Sequence, residues 1–402
     1  MRVSMNTRKE ITKATRKRYQ KASKMEKSRI LDEVCKITGW HRKHAIRVLN
    51  KPVEPPVKRG SKVLAKPKET RGRKPVYTDE ALAILRKVWA VLDCPCGKRL
   101  VPVMGQTLDA MLRFDEIDIS PETYDKLLAI SPATCDRLLA LDRKKVLMLH
   151  GRSTTKPGTL LRSQIPVRTF ADWDEDVLGF MEIDLVAHCG ASTRGEYVNT
   201  LDMTDISSGW TETRAVVNKA AVHTKEAIED VKRELPFPLL GIDSDNGSEF
   251  INSILYTYCK DERITFTRSR PNKKNDCCYV EGKNWHVVRK LIGYDRYEGW
   301  EAVDLLNEVY ARLRLFTNFF SPQQKLVEKI REGAKVRKVH DEAKTPYQRI
   351  MDDANVDSDI KERLKRQYLS INPVTIRKEI LELVQELRKL AVRPMRGGGI
   401  VG

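Results

Sequence analysis

Val177 to Val186 reads VLGFMEIDLV. A run this apolar and this rich in branched residues belongs to a strand buried within a sheet. Two acids, Glu182 and Asp184, interrupt it. The sequence that follows keeps building a sheet. Tyr197 to Met203 and Trp210 to Val217 are two further strand-like runs, the second preceded by a Ser207-Ser208-Gly209 turn, so three early strands are predicted as a meander. A helix is predicted over Ala221 to Leu235, and a short strand over Leu239 to Ile242. That strand ends at Asp243-Ser244-Asp245-Asn246-Gly247-Ser248-Glu249-Phe250, and a helix runs on to about Cys259. Ile264 to Thr267 is another short strand. After the basic loop RSRPNKKNDCC, a helix is predicted from about Tyr279 to Ile292.

Three carboxylates hold distinctive places in this plan. Asp184 lies near the middle or end of the first strand, Asp245 just past the end of the fourth, and Glu281 in the first turn of the last helix. Glu281, Trp285, Val288 and Ile292 share one face at helical spacing, which directs Glu281 along the buried stripe. An unpaired charge there is costly, and a bound divalent cation would relieve it. Sixty residues separate Asp184 from Asp245, and 35 separate Asp245 from Glu281. With 55 acids in 402 residues, spacing alone decides little; the strand-end and helix-start contexts carry more. The Asn246-Gly247 step after Asp245 lets the backbone turn sharply beside a bulky ligand. Asp243, two residues earlier, could face the same way on an extended strand; Asp245 is preferred because it directly precedes Asn-Gly.

The Glu182–Val186 strand, the Asp245–Phe250 turn and Glu281 after 35 residues resemble the integrase-type DDE core of retroviral integrases and bacterial insertion-sequence transposases. The resemblance covers about residues 173–300. It implies an α/β RNase H-like core, a mixed five-stranded sheet flanked by helices. It also implies a transposase that cleaves the 3′ ends of a mobile element and joins them to target DNA. Asp184, Asp245 and Glu281 are then both the catalytic residues and the metal ligands. Carboxylates suit Mg2+ or Mn2+, two ions that clamp the attacking and leaving oxygens of an in-line displacement. Asp184 would bridge both. Many relatives carry a basic residue seven positions after the Glu; here that position is Val288, and Lys283 or Arg289 is expected to contact DNA instead.

The charge of the chain is unevenly placed. Residues 1–75 hold 24 Lys and Arg against 6 acids, and residues 76–402 hold 50 against 49. A dense basic segment fits a polyanion partner. Within it, Met25 to Ile37 reads as a helix, Gly39 breaks it, and His41 to Asn50 restarts, a helix-turn-helix pattern. Its second helix, with Arg42, Lys43 and Arg47, would lie in the major groove. Residues 54–77 form a basic linker, in which Arg71, Arg73 and Lys74 make an AT-hook-like segment suited to a narrow minor groove. Residues 78–150 read as a second, helix-turn-helix-like unit: Thr78 is an N-cap, and Ser120-Pro121 and Ser131-Pro132 each set a cap before a first-turn proline. A second basic linker covers 151–172, the catalytic core 173–320, and a basic, then mainly helical region 321–402. Arg331, Lys335, Arg337 and Lys338 make a basic cluster there. Ile376, Ile380, Leu383, Leu387 and Leu390 form a short apolar seam expected to dock on the chain's own core.

No run reaches the ~18 apolar residues of a membrane span, and the first twenty residues lack a secretory apolar stretch. Eight scattered cysteines do not make a disulfide framework. The expectation is a cytoplasmic, bacterial, nucleoid-associated protein whose partner is double-stranded DNA, as element ends and target. A homo-oligomer on DNA is expected, with no membrane and no small-molecule substrate. Cys94-Pro95-Cys96 is too closely spaced for the usual zinc site, and His286 is expected at the surface. Two competing readings are a DNA-binding regulator without catalysis and a metal-dependent nuclease without strand transfer.

Overall fold

A computed structural model of the chain describes residues 4–51, 76–146, 177–245, 247, 249–268, 278–332 and 335–392. Two compact units divide it, Met1–Lys74 and Pro75–Gly402.

The first unit is three helices: α1 (Met5–Lys21), α2 (Lys24–Thr38) and α3 (Arg42–Leu49). Ser4 and Ser23 cap the first two by accepting from the backbone amides of Thr7 and Glu26. Gly39 ends α2 at φ 71°, a left-handed position that glycine takes without strain. Two helices joined at Gly39 thus stand where the helix-turn-helix pattern was expected, and a basic helix not foreseen in the sequence, α1, packs on both. Tyr19, Ile30, Leu31, Val34, Ala45 and Leu49 form the core of this unit.

The second unit opens with α4 (Asp79–Val91), α5 (Gly97–Leu100), α6 (Met104–Arg113), α7 (Pro121–Leu128), α8 (Pro132–Leu138) and α9 (Ala140–Val146). Thr78, Ser120 and Ser131 cap α4, α7 and α8 as the sequence implied, with proline at the start of the last two. Strands β1 (Phe180–Ala187), β2 (Asn199–Asp205) and β3 (Thr211–Val216) follow as an antiparallel meander. Helix α10 (Ala221–Glu234) crosses to β4 (Gly241–Ser244), and α11 (Ser253–Asp261) to β5 (Thr265–Arg268). Both β4 and β5 run parallel to β1, giving the sheet order β3-β2-β1-β4-β5. This order and sense are those of the RNase H-like fold.

The chain continues through α12 (Cys278–Lys283), a π-helical turn (Asn284–Arg289), α13 (Lys290–Ile292) and the long α14 (Gly299–Phe320). An antiparallel ribbon, β6 (Leu326–Glu332) and β7 (Lys335–His340), precedes α15 (Pro346–Asp352), α16 (Ser358–Ser370) and α17 (Pro373–Lys389). Helix α14 covers the free edge of β3. Asn318 accepts from Thr211 N at 2.8 Å and donates to Thr211 O at 2.9 Å, and Asn307 does the same for Ala215 at 2.8 and 3.3 Å. An edge strand left bare is an aggregation template; two asparagines three turns apart close this one.

One hydrophobic core runs through the helices of 78–150, the sheet, and the helices after 345. Gln106 donates to Phe319 O at 3.2 Å, and Tyr368 Oη donates to Gln106 O at 3.1 Å. Helix α17 docks on the chain's own core, against α14 and α6, but its buried residues are Ile376, Ile380, Val384 and Leu387: Val384 takes the place expected for Leu383, and Leu383 and Leu390 are only partly buried. Among the described residues no helix is long and apolar enough to cross a membrane.

Candidate active site

Alternation along the strands divides the sheet into two faces. Met181, Ile183, Leu201, Met203 and Ile242, all fully buried, make one of them. The other is polar. Register places Thr211, Thr204, Glu182, Asp243 and Thr267 in one row across all five strands, and Thr213, Asp202 and Asp184 in the next. Asp245 follows directly on the C-terminal end of β4, the end at which parallel strands open to ligands.

Glu182 and Asp243 belong to the scaffold. Asp243 accepts from Thr267 Oγ1 at 2.6 Å. Glu182 Oε2 accepts from Val280 N at 2.9 Å, at the start of α12. A carboxylate at a helix N-terminus meets unpaired amides and the positive end of the helix dipole. The acid in the opening strand run thus pins the helix that carries Glu281, the residue next in the chain.

Asp184 is held from two sides. Leu185 N donates to Oδ1 at 2.8 Å, and Asn284 Nδ2 donates to Oδ2 at 2.6 Å. Burial is the main reason its carboxyl is pushed up to about 7, and the negative charges of Asp245 and Glu249 push the same way. Asp245 is raised too, by burial first and by Glu249, while the amide of Gly247, 2.7 Å from Oδ1, opposes the rise. A Cβ at Gly247 would stand 2.7 Å from Glu249 Cδ and 2.9 Å from Asp245 Oδ1, so a side chain there would push the two carboxylates aside. The glycine after Asp245 therefore allows the two carboxylates to approach one another.

Asp202 was not singled out from the sequence. It stands opposite Asp184 in the β1–β2 register and is fully buried. Its Oδ1 accepts from Thr204 at 3.4 Å, and its Oδ2 has no hydrogen-bond partner among the described residues. Burial and the neighbouring Asp184 raise its carboxyl, and the ammonium of Lys283 works against them. Burial in turn holds Lys283 below the usual lysine range. The only signal in the sequence was an acid inside an otherwise strand-like run, Tyr197 to Met203.

The structure thus brings Asp184 and Asp245 together. The backbone of Glu281 lies in α12; its side chain lies outside the described residues. Among the described residues no three His, Cys, Asp or Glu side chains group closely enough to hold a metal ion. The buried stripe expected along this helix needs correction. Val288 and Ile292 are buried, but Trp285 is 43% exposed. The π-helical turn from Asn284 to Arg289 inserts an extra residue into the repeat, so a face counted at α-helical spacing drifts off across it. The same wide turn presents Asn284 to Asp184.

Lys283 and Arg289 both turn inward. Lys283 Nζ donates to Gly209 O at 3.1 Å. Arg289 donates to Ala187 O at 2.7 Å and lies over the Tyr294 ring. In the first unit, Arg42, Lys43 and Arg47 of α3 are all exposed, and Lys43 and Arg47 lie on the face opposite Ala45 and Leu49. Arg42 pairs with Asp32 and Ser28 of α2, and Arg47 contacts His44 Nδ1 at 3.1 Å. Arg71, Arg73 and Lys74 lie outside the described residues.

The chain is 41% identical over 339 residues, 84% of its length and 93% of the relative's, to the uncharacterized protein y4rM of Sinorhizobium fredii (strain NBRC 101917 / NGR234). It belongs to the y4rM family. No family model matches it. Among solved structures, it is similar at 16% identity and a TM-score of 0.27 to the HTLV-2 integrase catalytic core domain in complex with magnesium, over 36% of this chain and 88% of that one. The catalytic core domain of BIV integrase has the same identity and TM-score, over 42% of this chain and 91% of that one.

Proposed function

We propose that this y4rM-family chain is a DDE-type DNA transposase, which binds the ends of a mobile element, cleaves their 3′ strands and transfers them into target DNA. One observation carries the reading. Asp184, in the second half of β1, and Asp245, just past the end of the neighbouring parallel β4, converge on the polar face of an RNase H-like sheet, closely enough that the charge of Asp245 disfavours charge on Asp184. Two such carboxylates ask for a cation. The donor set suits a hard one: carboxylate oxygens, with a further buried oxygen, Asp202 Oδ2, left without a hydrogen bond. Asp184, Asp245 and Glu281 would hold Mg2+ or Mn2+. Bound there, the metal supplies Lewis-acid stabilisation of the charge developing on phosphate and leaving oxygen.

The chain's own residues do the positioning. Asn284 and the amide of Leu185 fix the two oxygens of Asp184. The amide of Gly247 orients Asp245. Glu182 holds the start of α12, and with it Glu281, against β1. With its carboxyl raised to about 7, Asp184 is about half protonated at neutral pH, so a cation held there would compete with a proton. Lys283 and Arg289 contribute positive potential beside the carboxylates rather than a direct grip on DNA. Element ends would be read by α3 through Arg42, Lys43 and Arg47, with Arg71, Arg73 and Lys74 as a minor-groove arm. Double-stranded DNA is the partner, and a multimer holding two ends is the working form.

The test is a strand-transfer assay with purified protein, labelled end DNA, a plasmid target and Mg2+ or Mn2+. Asp184→Asn and Asp245→Ala are each expected to lower joined product by on the order of 1000-fold, the equivalent of several kcal/mol of lost transition-state stabilisation, with end binding retained. Transfer that survives either change would sink the proposal. Nicking without joining by the wild type would favour a nuclease, and binding without cleavage a regulator.

A further inference from the structure

The β6–β7 ribbon has no part in the site described above. Residues 325–340 carry six Lys and Arg against two Glu, whereas residues 76–402 as a whole are nearly balanced. The ribbon is therefore a local concentration of positive charge on an otherwise slightly acidic unit. Its base is clamped. Asp341 Oδ1 accepts from Lys325 N at 2.6 Å, Asp341 Oδ2 pairs with Arg349 at 2.7 Å, and Gln323 and Lys344 exchange two backbone bonds of 3.0 Å. Beyond that base the strands pair with each other, and among the described residues no other helix or strand packs extensively on either. A two-stranded ribbon alone is marginal in water, and this one leaves Val327 66% and Val336 52% exposed.

Register sorts its charges. Lys329 stands opposite Lys338, and Arg331 opposite Val336. Directly opposed residues share a face, so Arg331, Val336 and Lys338 lie on one face of the ribbon. The other face takes Glu328, Ile330, Arg337 and Val339. Like charges set directly opposite are destabilising, and a polyanion laid over them would remove that cost. Among the described residues neither Arg331 nor Lys338 has an acidic partner.

We propose that the ribbon is a DNA-binding arm, lying along a duplex groove with its Arg331–Lys338 face on the phosphates. A major groove admits a two-stranded ribbon. A seven-residue strand spans roughly 23 Å at about 3.3 Å per residue, the length of about seven base pairs at ~3.4 Å each. The valine between the cations meets carbon surface of sugar or base edge. This inference rests on the reading of the chain as a DNA-processing enzyme, but it does not involve the carboxylate site.

The experiment is duplex-DNA binding by the full chain, read by fluorescence anisotropy across a salt series on several unrelated sequences. Arg331→Gln/Lys338→Gln is expected to weaken binding about equally on every sequence. It should also lower the slope of log K against log salt by about 2, roughly 0.9 for each phosphate no longer neutralised. Arg337→Gln, on the opposite face, is expected to leave the slope unchanged. A double variant that binds like the wild type with the same slope overturns the proposal. So does a double variant whose oligomeric state changes in sedimentation without DNA, which would make the ribbon an arm between protein copies. The two readings fail separately. Strand transfer surviving Asp184→Asn defeats the enzyme, and an unchanged salt slope defeats the arm.

Discussion

The two faces of the five-stranded sheet are written by alternate residues of the same strands, yet they obey opposite rules. On one face Met181, Ile183, Leu201, Met203 and Ile242 are wholly buried, and each contributes about 1.5–3 kcal/mol by leaving water. On the other, Glu182, Asp184, Asp202 and Asp243 are removed from water at a cost. That cost is offset by particular partners: Val280 N for Glu182, Thr267 for Asp243, Asn284 for Asp184. Where the partner is missing, at Asp202 Oδ2, the carboxyl is driven toward its neutral form. The comparison teaches that the apolar face supplies the stability with which the polar face holds its acids close together.

The sharpest way to break this comparison is to unbalance the polar face. Lys283→Met removes the cation that opposes the rise of Asp202. It is expected to cost on the order of 3 kcal/mol, as loss of a buried charge's partner does, read as a shift of the denaturant midpoint. Asp202→Asn/Lys283→Met should recover most of that loss. If the double variant is no more stable than the single, the two side chains do not offset one another. On the apolar face, Ile183→Ala is expected to cost about 2–5 kcal/mol and to lower strand transfer only in proportion to the protein unfolded. A selective loss of activity in the folded variant would show that the faces are not separable.

The smallest effect is a pH dependence. Asp184 lies raised at about 7, so below that pH it carries a proton that a cation must displace. Apparent Mn2+ affinity is expected to rise with pH up to about 7 and to fall about tenfold per unit below it. In Glu249→Gln one repelling carboxylate is gone, the Asp184 carboxyl moves down, and the fall begins at lower pH. Calorimetric titration of Mn2+ binding between roughly pH 5.5 and 8, a window that spans the raised carboxyl, decides it. A flat profile in both proteins would refute the assignment of Asp184 as a ligand.

Much of this protein was legible as local pattern. Thr78, Ser120 and Ser131 announced helix starts, and Gly39 a helix stop, because capping depends on residues within one turn. The five strands followed from apolar runs and turn residues, and the Asp245-Asn246-Gly247 step marked a close approach that the crowding at Gly247 explains. What local pattern could not carry was register and long-range packing. Only pairing β1 with β2 sets Asp202 opposite Asp184, across 18 residues of chain. Only packing of α12 on β1 gives Glu182 its partner 98 residues away. The π-helical turn overruled the α-helical count and put Trp285 outside, because one inserted residue re-phases everything after it. The β6–β7 ribbon was read only as a basic cluster, since a strand pair that covers no core leaves little alternation to see. The sequence by itself determined which residues are acidic, which must be buried and where helices begin. Tertiary structure decided which acids meet, because a sheet brings distant residues to a few ångströms through hydrogen-bond register, a property that no stretch of the chain carries alone.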